Sequence, residues 1–501
     1  MEEPLARLQL SARDFVDHRR PSRCDLRIYL REHGAPVAPP SPFDEMIRRL
    51  GRRHEVSVLT ALQPVVNLSE GTREQRLQWT RDEIGKGAQV IYQGVLACDT
   101  ELGGQPCTVV GTPDFLIGGP TGYAIRESRL ATNASQQEHL EVVLQLQLYG
   151  WLMRQSLEQE PTSLEVATGA DKVLAVVDDG GEQALRHLAH LAQLKRLDEP
   201  PYEPVEWFKC HACAYVRHCW PAAVARRDVA CLPAVDEGLA RALHDRGVDT
   251  AEQLLAALDE PGLALVERPA GGGSVPVGDA ATAIMRSARA FVSGEEELVD
   301  TPDLLLSDNY VVFDCEGLPP QFDEFDKIYL WGMRVFGTLP SPYTAAMASS
   351  GPDGDRAGWE GFVRELDALF AYYGDIPVIH WLGDERQAVE RYIARHGDPR
   401  GSAERLLDNL IDLAPMMERT VALPLPGGNL KTVARWVGQR REYDDYGRDW
   451  ALAKCVEVVE TSDESQRFAL VGQVQAHNRD DLEATYSILK WLLARAAEPH
   501  A

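Results

Sequence analysis

Residues 111–129 read GTPDFLIGGPTGYAIRESR, two apolar runs separated by glycine and proline. Apolar runs with Gly-rich turns between them predict adjacent β-strands. Asp114 stands at the start of the first strand and Glu127 on the second, and Arg129 follows Glu127 on the same face of that strand. Two carboxylates on adjacent strands can share a divalent metal ion. With the nearby cation they could activate water and neutralise a scissile phosphate.

Polar residues outside this pair of strands extend the candidate site. His54, in the segment GRRHE (51–55), offers a nitrogen ligand. Gln145 and Tyr149 lie in the apolar segment VVLQLQLYGWLM (142–153). Their i, i+4 spacing places both on one face of a predicted helix.

The cysteines form a set that is split along the sequence. Cys24 stands alone, whereas Cys210, Cys213 and Cys219 lie together far downstream. A tight pair with a third cysteine close by is typical of zinc or iron ligation, and Cys24 is the candidate fourth ligand. Both metals accept four thiolates, so both alternatives remain open here. His211 and His218 could replace cysteines in a zinc site.

A second group of acids lies in the C-terminal part of the chain. The apolar segment NYVVF (309–313) predicts a strand that ends at Asp314 and Glu316, with both carboxylates on one side. Another apolar strand, 377–381, runs into Asp384 and Glu385, and HNRDD (477–481) is expected to open an amphipathic helix. Acids at strand ends and at a helix start favour a two-metal phosphodiester site over a network of salt bridges.

The chain is predicted to contain three parts. The first part, 1–230, is helical, then strand-rich, then helical. In the second, 231–300, Gly247 separates two amphipathic stretches like those of a helix-hairpin-helix, although a plain helical spacer fits as well. Within it, residues 268–279 are expected to form a flexible loop. The third part, 301–501, alternates strands and helices as an α/β domain does.

Composition limits the classes of function. The net charge of −26 argues against a protein that passively coats nucleic acid. Residues 1–60 nevertheless carry eleven arginines against nine acidic residues, and such a basic region can steer a polyanion. The alternative is a solvated helix face. No apolar run is long enough to span a bilayer and no secretory signal is present, so we expect a cytoplasmic protein with no membrane partner.

The N-terminal residues resemble the RecB-like branch of the PD-(D/E)XK nucleases, which includes the iron-sulfur nucleases of CRISPR adaptation. The resemblance implies a restriction-endonuclease-like domain with Mg or Mn at Asp114 and Glu127. It also implies a 4Fe-4S cluster, with zinc as the alternative. Arg129 stands where this family has lysine; it keeps the charge but cannot give up a proton, so a domain that only binds is the alternative. The matching residues, in order, are Cys24, His54, Asp114, Glu127, Gln145, Tyr149, Cys210, Cys213 and Cys219.

The C-terminal residues resemble the RNase H-like 3′-5′ exonucleases of the DnaQ type. The whole chain resembles predicted RecB-family nucleases, in which a RecB-like domain precedes such an exonuclease domain. The resemblance implies that Asp314, Glu316, Glu385 and Asp481 are metal ligands, with His477 at a position where tyrosine is usual and Asp412 as an auxiliary acid. Glu385 replaces the more usual aspartate. The resemblance rests on the segments FDCEGLPP, KIYLWGMRV, HWLGDE, IDLAPMM, NLKTVARWVG and HNRDDLEAT.

The sequence therefore predicts an α/β protein with a restriction-endonuclease-like N-terminal domain, a small helical middle part and an RNase H-like C-terminal domain. The expected function is metal-dependent hydrolysis of nucleic acid, with single-stranded DNA favoured over RNA, in DNA repair, recombination or defence. The alternative is a nucleic-acid-binding adaptor subunit of a helicase-nuclease complex, with one or both sites inactive.

Overall fold

The structure is a computed structural model that describes residues 7–131, 135, 138–270, 273–300, 306–318, 327–381, 383, 385–440 and 447–496. The fold is mixed α/β and contains several mixed sheets. The chain divides into two compact units. The N-terminal unit contains 1–40, 44–203 and 208–218, and the C-terminal unit contains 41–43, 204–207 and 219–501. The predicted connector, 231–300, belongs to the C-terminal unit.

The N-terminal part of the chain opens with a short strand that the sequence analysis did not predict, followed by helices, a strand-rich region interrupted by one long helix, and further helices. The apolar runs that flank Asp114 and Glu127 form adjacent strands of one sheet. The elements are β1 (Leu8–Ser11), α1 (Ala12–Arg19), α2 (Asp25–Glu32), α3 (Pro42–Ala61), β2 (Val66–Asn67), α4 (Arg73–Gly85), β3 (Val90–Tyr92), β4 (Leu96–Leu102), β5 (Gln105–Gly111), β6 (Phe115–Gly119), β7 (Gly122–Arg129), α5 (Leu140–Leu157), β8 (Leu164–Thr168), β9 (Val173–Val176), α6 (Glu182–Leu194), α7 (Trp207–Cys210) and α8 (Val216–Ala225).

The main sheet of the N-terminal unit has six strands in the order β2-β3-β6-β7-β8-β9, and a smaller sheet has the order β1-β5-β4. Strands β6 and β7 are antiparallel, and β8 adds to β7 in parallel. Helix α5 is apolar on most of its faces, which is typical of a helix buried on all sides. Leu144, Leu148 and Leu152 of this helix are fully buried in the core. The sheet and α5 together fix the positions of the acids on β6 and β7.

The C-terminal unit combines a helical segment with a second sheet. Two short helices lie on either side of Gly247, whose φ is +76°. The elements are α9 (Glu237–His244), α10 (Ala251–Ala257), α11 (Glu260–Ala264), β10 (Glu267–Ala270), β11 (Gly273–Pro276), α12 (Ala280–Ser293), β12 (Glu297–Leu298), β13 (Asn309–Leu318), β14 (Lys327–Gly337), β15 (Thr344–Met347), α13 (Gly351–Tyr373), β16 (Val378–His380), α14 (Glu385–His396), α15 (Ser402–Asp408), β17 (Leu410–Asp412), α16 (Leu413–Thr420), β18 (Val421–Ala422), α17 (Leu430–Trp436), α18 (Arg448–Glu460) and α19 (Glu464–Ala496).

The larger sheet of the C-terminal unit has five strands in the order β15-β14-β13-β16-β17. The first three strands in sequence pair antiparallel, whereas β16 pairs with β13 in parallel and β17 pairs with β16 in parallel. An aromatic core that includes Trp331, Trp359 and Phe362 packs beside this sheet, and a second core contains Val312, Ile379 and Leu482. Since parallel strands share one carboxyl edge, the ends of β13, β16 and β17 converge there.

Three boundaries differ from the sequence prediction. Asp314 and Glu316 lie inside β13 and not after it, because pairing with β14 continues to Leu318. The residues from His477 to Asp481 lie in the interior of α19 and do not open a helix. Residues 268–279 are not a flexible loop throughout, since β10 and β11 pair as an antiparallel hairpin. Two of these errors come from pairing across the sheet, which local composition does not encode.

No helix in the described part of the chain is both long and apolar enough to cross a membrane.

Candidate functional site

The C-terminal sheet and the long helix α19 bring three predicted site residues together. Glu316 from β13 and His477 and Asp481 from α19 place their ligand atoms within 4.8 Å of one another. His477 Nδ1 lies 3.4 Å from Asp481 Oδ2 and 3.8 Å from Glu316 Oε1. Because residues four apart share one face of a helix, α19 presents His477 and Asp481 to the strand together. Glu316 and His477 are buried, while Asp481 is partly open to solvent.

Asp314 is held beside this group by an asparagine that the sequence analysis missed. Asn478 Nδ2 donates to Asp314 Oδ2 at 2.5 Å, and Asn478 Oδ1 accepts from the Tyr343 hydroxyl at 3.0 Å. Asn478 is fully buried. Burial, followed by the negative charge of Asp314, raises the pKa of Tyr343, so this hydroxyl stays a donor. The position of Asn478 directly after His477 was the signal in the sequence that could have identified it.

Gly332 makes room for this asparagine. It pairs with Asp314 across β13 and β14, and a Cβ atom added to it would lie 1.8 Å from Asn478 Oδ1. We therefore expect Gly332→Ala to displace Asn478, to cost about 1–3 kcal/mol of unfolding free energy and to lower activity. Urea denaturation and nuclease assays would measure both effects.

Gly472 on α19 is the matched control, because an added Cβ there meets nothing within 4 Å. Equal activity and stability in Gly332→Ala and Gly472→Ala would contradict the positioning role of Asn478.

Glu385 is placed differently from the group of three. It begins α14, is buried, and its Oε2 lies 3.1 Å from His380 Nδ1. His380 ends β16, which runs parallel to β13, so this pair belongs to the carboxyl edge of the same sheet. Asp412 ends β17 and accepts a hydrogen bond from the Ala414 backbone at 3.1 Å, which caps α16. Asp412 thus lies at the end of β17 and Glu385 after the end of β16, whereas Asp314 and Glu316 lie inside β13. Glu385 has a histidine partner of its own.

The C-terminal group fits Mg or Mn in its chemistry. Divalent cations of this kind prefer carboxylate oxygens, which Asp314, Glu316 and Asp481 supply. Two of these acids, Glu316 and Asp481, converge with His477 within 4.8 Å. Their mutual repulsion is relieved when a divalent cation binds.

In the N-terminal unit, Asp114 and Glu127 are locked together by backbone hydrogen bonds. The Asp114 backbone N–H donates to Glu127 Oε1 at 3.1 Å, and the Ser128 backbone N–H donates to Asp114 Oδ2 at 2.9 Å. This exchange follows from the antiparallel pairing of β6 and β7. Both acids are buried, and only 1% of the surface of Glu127 is exposed to solvent. Burial, followed by the charge of Asp114, raises the pKa of Glu127 well above its usual value.

Arg129, Gln145 and Tyr149 complete this cluster. Arg129 Nη2 lies 2.9 Å from Glu127 Oε2 and donates to Gln145 Oε1 at 2.6 Å. Gln145 Nε2 in turn contacts Glu127 Oε2 and the Tyr149 oxygen, each at 2.9 Å. Burial, followed by the charge of Glu127, raises the pKa of Tyr149, which remains neutral. Four predicted residues from β7 and α5 are therefore in direct contact.

A third carboxylate near this cluster was not predicted. Glu55 Oε1 accepts from the Tyr92 hydroxyl at 2.8 Å and from Gln93 Nε2 at 3.2 Å, and Gln93 Nε2 also donates to Asp114 Oδ1 at 3.0 Å. Burial and Asp114 raise the pKa of Glu55. Its neighbour His54 directs Nε2 to the Ala167 carbonyl at 3.1 Å. The segment 51–55 therefore contacts the cluster through Glu55 and not through the predicted His54.

The N-terminal cluster does not fit a divalent metal while Arg129 occupies its present position. Arg129 Nη1 also lies 3.8 Å from Asp114 Oδ2, so one guanidinium compensates both carboxylates. A metal ion placed between the acids would meet this cation at close range. Binding of Mg or Mn at Asp114 and Glu127 therefore requires Arg129 to move away.

Three of the four predicted thiolate ligands lie in the N-terminal unit. Cys24 caps α2, and the neighbouring Ser22 hydroxyl donates to the Lys209 carbonyl at 3.1 Å. The Cys213 backbone N–H donates to the Cys210 carbonyl at 2.9 Å. Burial and Glu203 raise the pKa of the Cys24 thiol to about 12, so metal binding there has to displace a proton. Cys219 lies on α8.

The donor chemistry of these cysteines suits both a 4Fe-4S cluster and zinc. If the four cysteines hold a cluster, we expect purified protein to be brown and to contain iron and sulfide, and Cys24→Ser to lose both. Visible spectra with iron, sulfide and zinc analysis would measure this. Cys98→Ser, a half-buried cysteine of β4, is the control. Stoichiometric zinc without iron would establish the zinc alternative.

Comparisons with known proteins leave the function open. No protein-family model matches this chain, and no curated protein matches it significantly. Among solved structures, the crystal structure of SSO0001 is similar over 44% of this chain and 89% of that chain, with 16% sequence identity and a TM-score of 0.24. A score this low assigns neither a fold nor a function.

Proposed function

We propose that this chain is a metal-dependent nuclease whose main active site lies at Asp314, Glu316, His477 and Asp481. The observation that carries the proposal is the convergence of Glu316, His477 and Asp481 within 4.8 Å, with Asp314 on the same strand as Glu316. The sheet, with three antiparallel strands followed by two parallel ones, is consistent with the RNase H-like prediction. The convergence of two carboxylates and a histidine from a strand and a helix supports metal binding at this position.

The proposed reaction is hydrolysis of a phosphodiester bond at the end of a nucleic acid. Asp314, Glu316 and Asp481 would hold Mg or Mn, which when bound activates water and neutralises charge on the phosphate. Asn478 keeps Asp314 in place through its 2.5 Å hydrogen bond. His477 Nδ1, between Glu316 and Asp481, is positioned to exchange a proton with them or with a water molecule beside them.

The N-terminal unit is proposed to bind single-stranded DNA and, if Arg129 moves, to cut it. Arg48 and Arg52 are exposed and one turn apart on α3, the helix that carries His54 and Glu55. Such a basic face can contact phosphates even though the chain as a whole is acidic. RNA remains an alternative substrate, and a helicase partner and roles in repair or defence are inferred from the resemblance alone.

One observation favours the second candidate, an adaptor that binds nucleic acid. The contacts of Arg129 with Asp114, Glu127 and Gln145 satisfy the N-terminal acids without a metal ion. This favours a binding role for that unit.

The test is degradation of end-labelled single-stranded DNA and RNA with Mg or Mn. Wild type would be compared with Asp314→Ala and with the double variant Asp114→Ala, Glu127→Ala. Loss of activity in Asp314→Ala alone supports the proposal, with the N-terminal unit as a clamp. Loss in the double variant alone would move the active site to the N-terminal unit. An inactive wild type would favour the adaptor.

A further inference from the structure

A second group of metal-ligating side chains lies in the N-terminal unit, among residues that the proposed function does not use. His18, Asp25 and His190 place one ligand atom each within 4.8 Å of one another. His18 lies on α1, Asp25 is the first residue of α2, and His190 lies on α6. The three residues are far apart in sequence, so the fold and not a local motif brings them together.

The two imidazoles approach opposite oxygens of one carboxylate. His18 Nε2 lies 2.7 Å from Asp25 Oδ1, and His190 Nε2 lies 3.3 Å from Asp25 Oδ2. The rings are 6.0 Å apart at an angle of 67° and thus do not stack face to face. Ligands at about 2.0–2.1 Å from a tetrahedral zinc ion lie roughly 3.3 Å from one another. The 3.3 Å separation of His190 from Asp25 matches that spacing, whereas the 2.7 Å contact of His18 is a hydrogen-bond distance that has to lengthen when an ion binds.

The surroundings hold the three ligand residues in place. The side chain of His18 retains 2% of its exposed area, whereas that of His190 retains 42%. The Asp25 backbone N–H donates to Glu203 Oε2 at 2.8 Å, which anchors the start of α2. The ligand nitrogen His190 Nε2 is itself buried, so the group is preformed beside a partly exposed imidazole ring.

We propose that His18, Asp25 and His190 form a binding site for a divalent transition-metal ion of the zinc type, separate from the cysteine set. Two nitrogens and one carboxylate oxygen suit zinc better than magnesium, which prefers oxygen ligands. Three protein ligands leave a coordination position for water. A bound ion would join α1, α2 and α6 and would brace the turn that carries Cys24. This inference does not depend on the proposed nuclease activity.

The experiment measures zinc and cobalt(II) binding to the full-length protein. We expect wild type to bind one equivalent more than His190→Ala, with a cobalt spectrum that shows d–d bands of nitrogen and oxygen ligands. The control is His187→Ala, one turn earlier on the same helix and also partly buried, which should bind as wild type does. Cobalt at the cysteines is distinguished by its thiolate charge-transfer absorption.

Equal metal content in wild type and His190→Ala would overturn the proposal. A wild-type cobalt spectrum that shows only cobalt bound to thiolates, and no cobalt bound to nitrogen and oxygen ligands, would also overturn the proposal. That result does not depend on the folding of any variant. His190→Gln, measured in parallel with thermal unfolding, separates loss of a ligand from loss of packing. If zinc stabilised His190→Gln against thermal unfolding as much as it stabilises wild type, this would also count against the site.

Discussion

Asp481→Asn is expected to reduce metal-dependent hydrolysis by about 10²–10³-fold or more, the effect typical of removing one preorganised electrostatic group from an active site. The substitution keeps the size of the side chain and removes its charge. The nearby Glu316 and His477 would remain in place, since the α19 backbone does not change. Rates on end-labelled single-stranded DNA at saturating Mg or Mn would measure the loss.

Affinity for DNA should change little in this variant, because phosphate contacts come from cations and not from a carboxylate. Binding measured by fluorescence anisotropy without a divalent metal ion would separate affinity from turnover. The matched control is Glu483→Gln, two residues further along α19, whose carboxylate forms an ion pair with Arg334 at 2.8 Å. An Asp481→Asn protein as active as this control would remove Asp481 from the active site.

Pairs of site residues within one element were predictable from the sequence because strand and helix periodicity is local. Asp314 and Glu316, two residues apart, share a face of β13, and the contact of Gln145 with Tyr149 follows from helical spacing. His477 and Asp481 also share a face by spacing alone. Predicted residues that come from one element are thus found together.

Residues that act through contacts between distant segments were not predictable. Asn478 reaches Asp314 because Gly332, on a neighbouring strand, has no side chain to block it. Glu55 reaches Asp114 through Gln93, and neither residue belongs to a recognisable motif. The pairing of Glu385 with His380 likewise depends on how α14 leaves the sheet. Such contacts arise from tertiary packing.

Arg129→Ala is expected to destabilise the protein at pH 8 by about 2–4 kcal/mol, somewhat less than the roughly 3–5 kcal/mol for breaking a fully buried pair, because the Arg129 side chain retains 31% of its exposed area. Glu127 would lose its cation while remaining buried beside Asp114. Its pKa, already raised by burial and by Asp114, would rise further. Urea denaturation would measure the change in unfolding free energy.

The pH dependence has a definite sign. Above the usual glutamate pKa of 4.5 and below the raised folded value, the folded state holds a proton on Glu127 that the unfolded state has released. The unfolding free energy therefore falls as pH increases through this interval. Arg129→Ala should consequently recover part of its lost stability when the pH is lowered from 8 to 5.

The matched control for this prediction lies on the same strand. Arg126 pairs with Glu165 at 2.8 Å on the other face of β7, where both side chains are more accessible than Glu127. Arg126→Ala should cost about 0–1 kcal/mol, as partly exposed ion pairs do, and should show little recovery at pH 5. If Arg129→Ala behaved like Arg126→Ala, the guanidinium would not be what compensates the buried acids, and a metal ion at Asp114 and Glu127 would become the better explanation of that cluster.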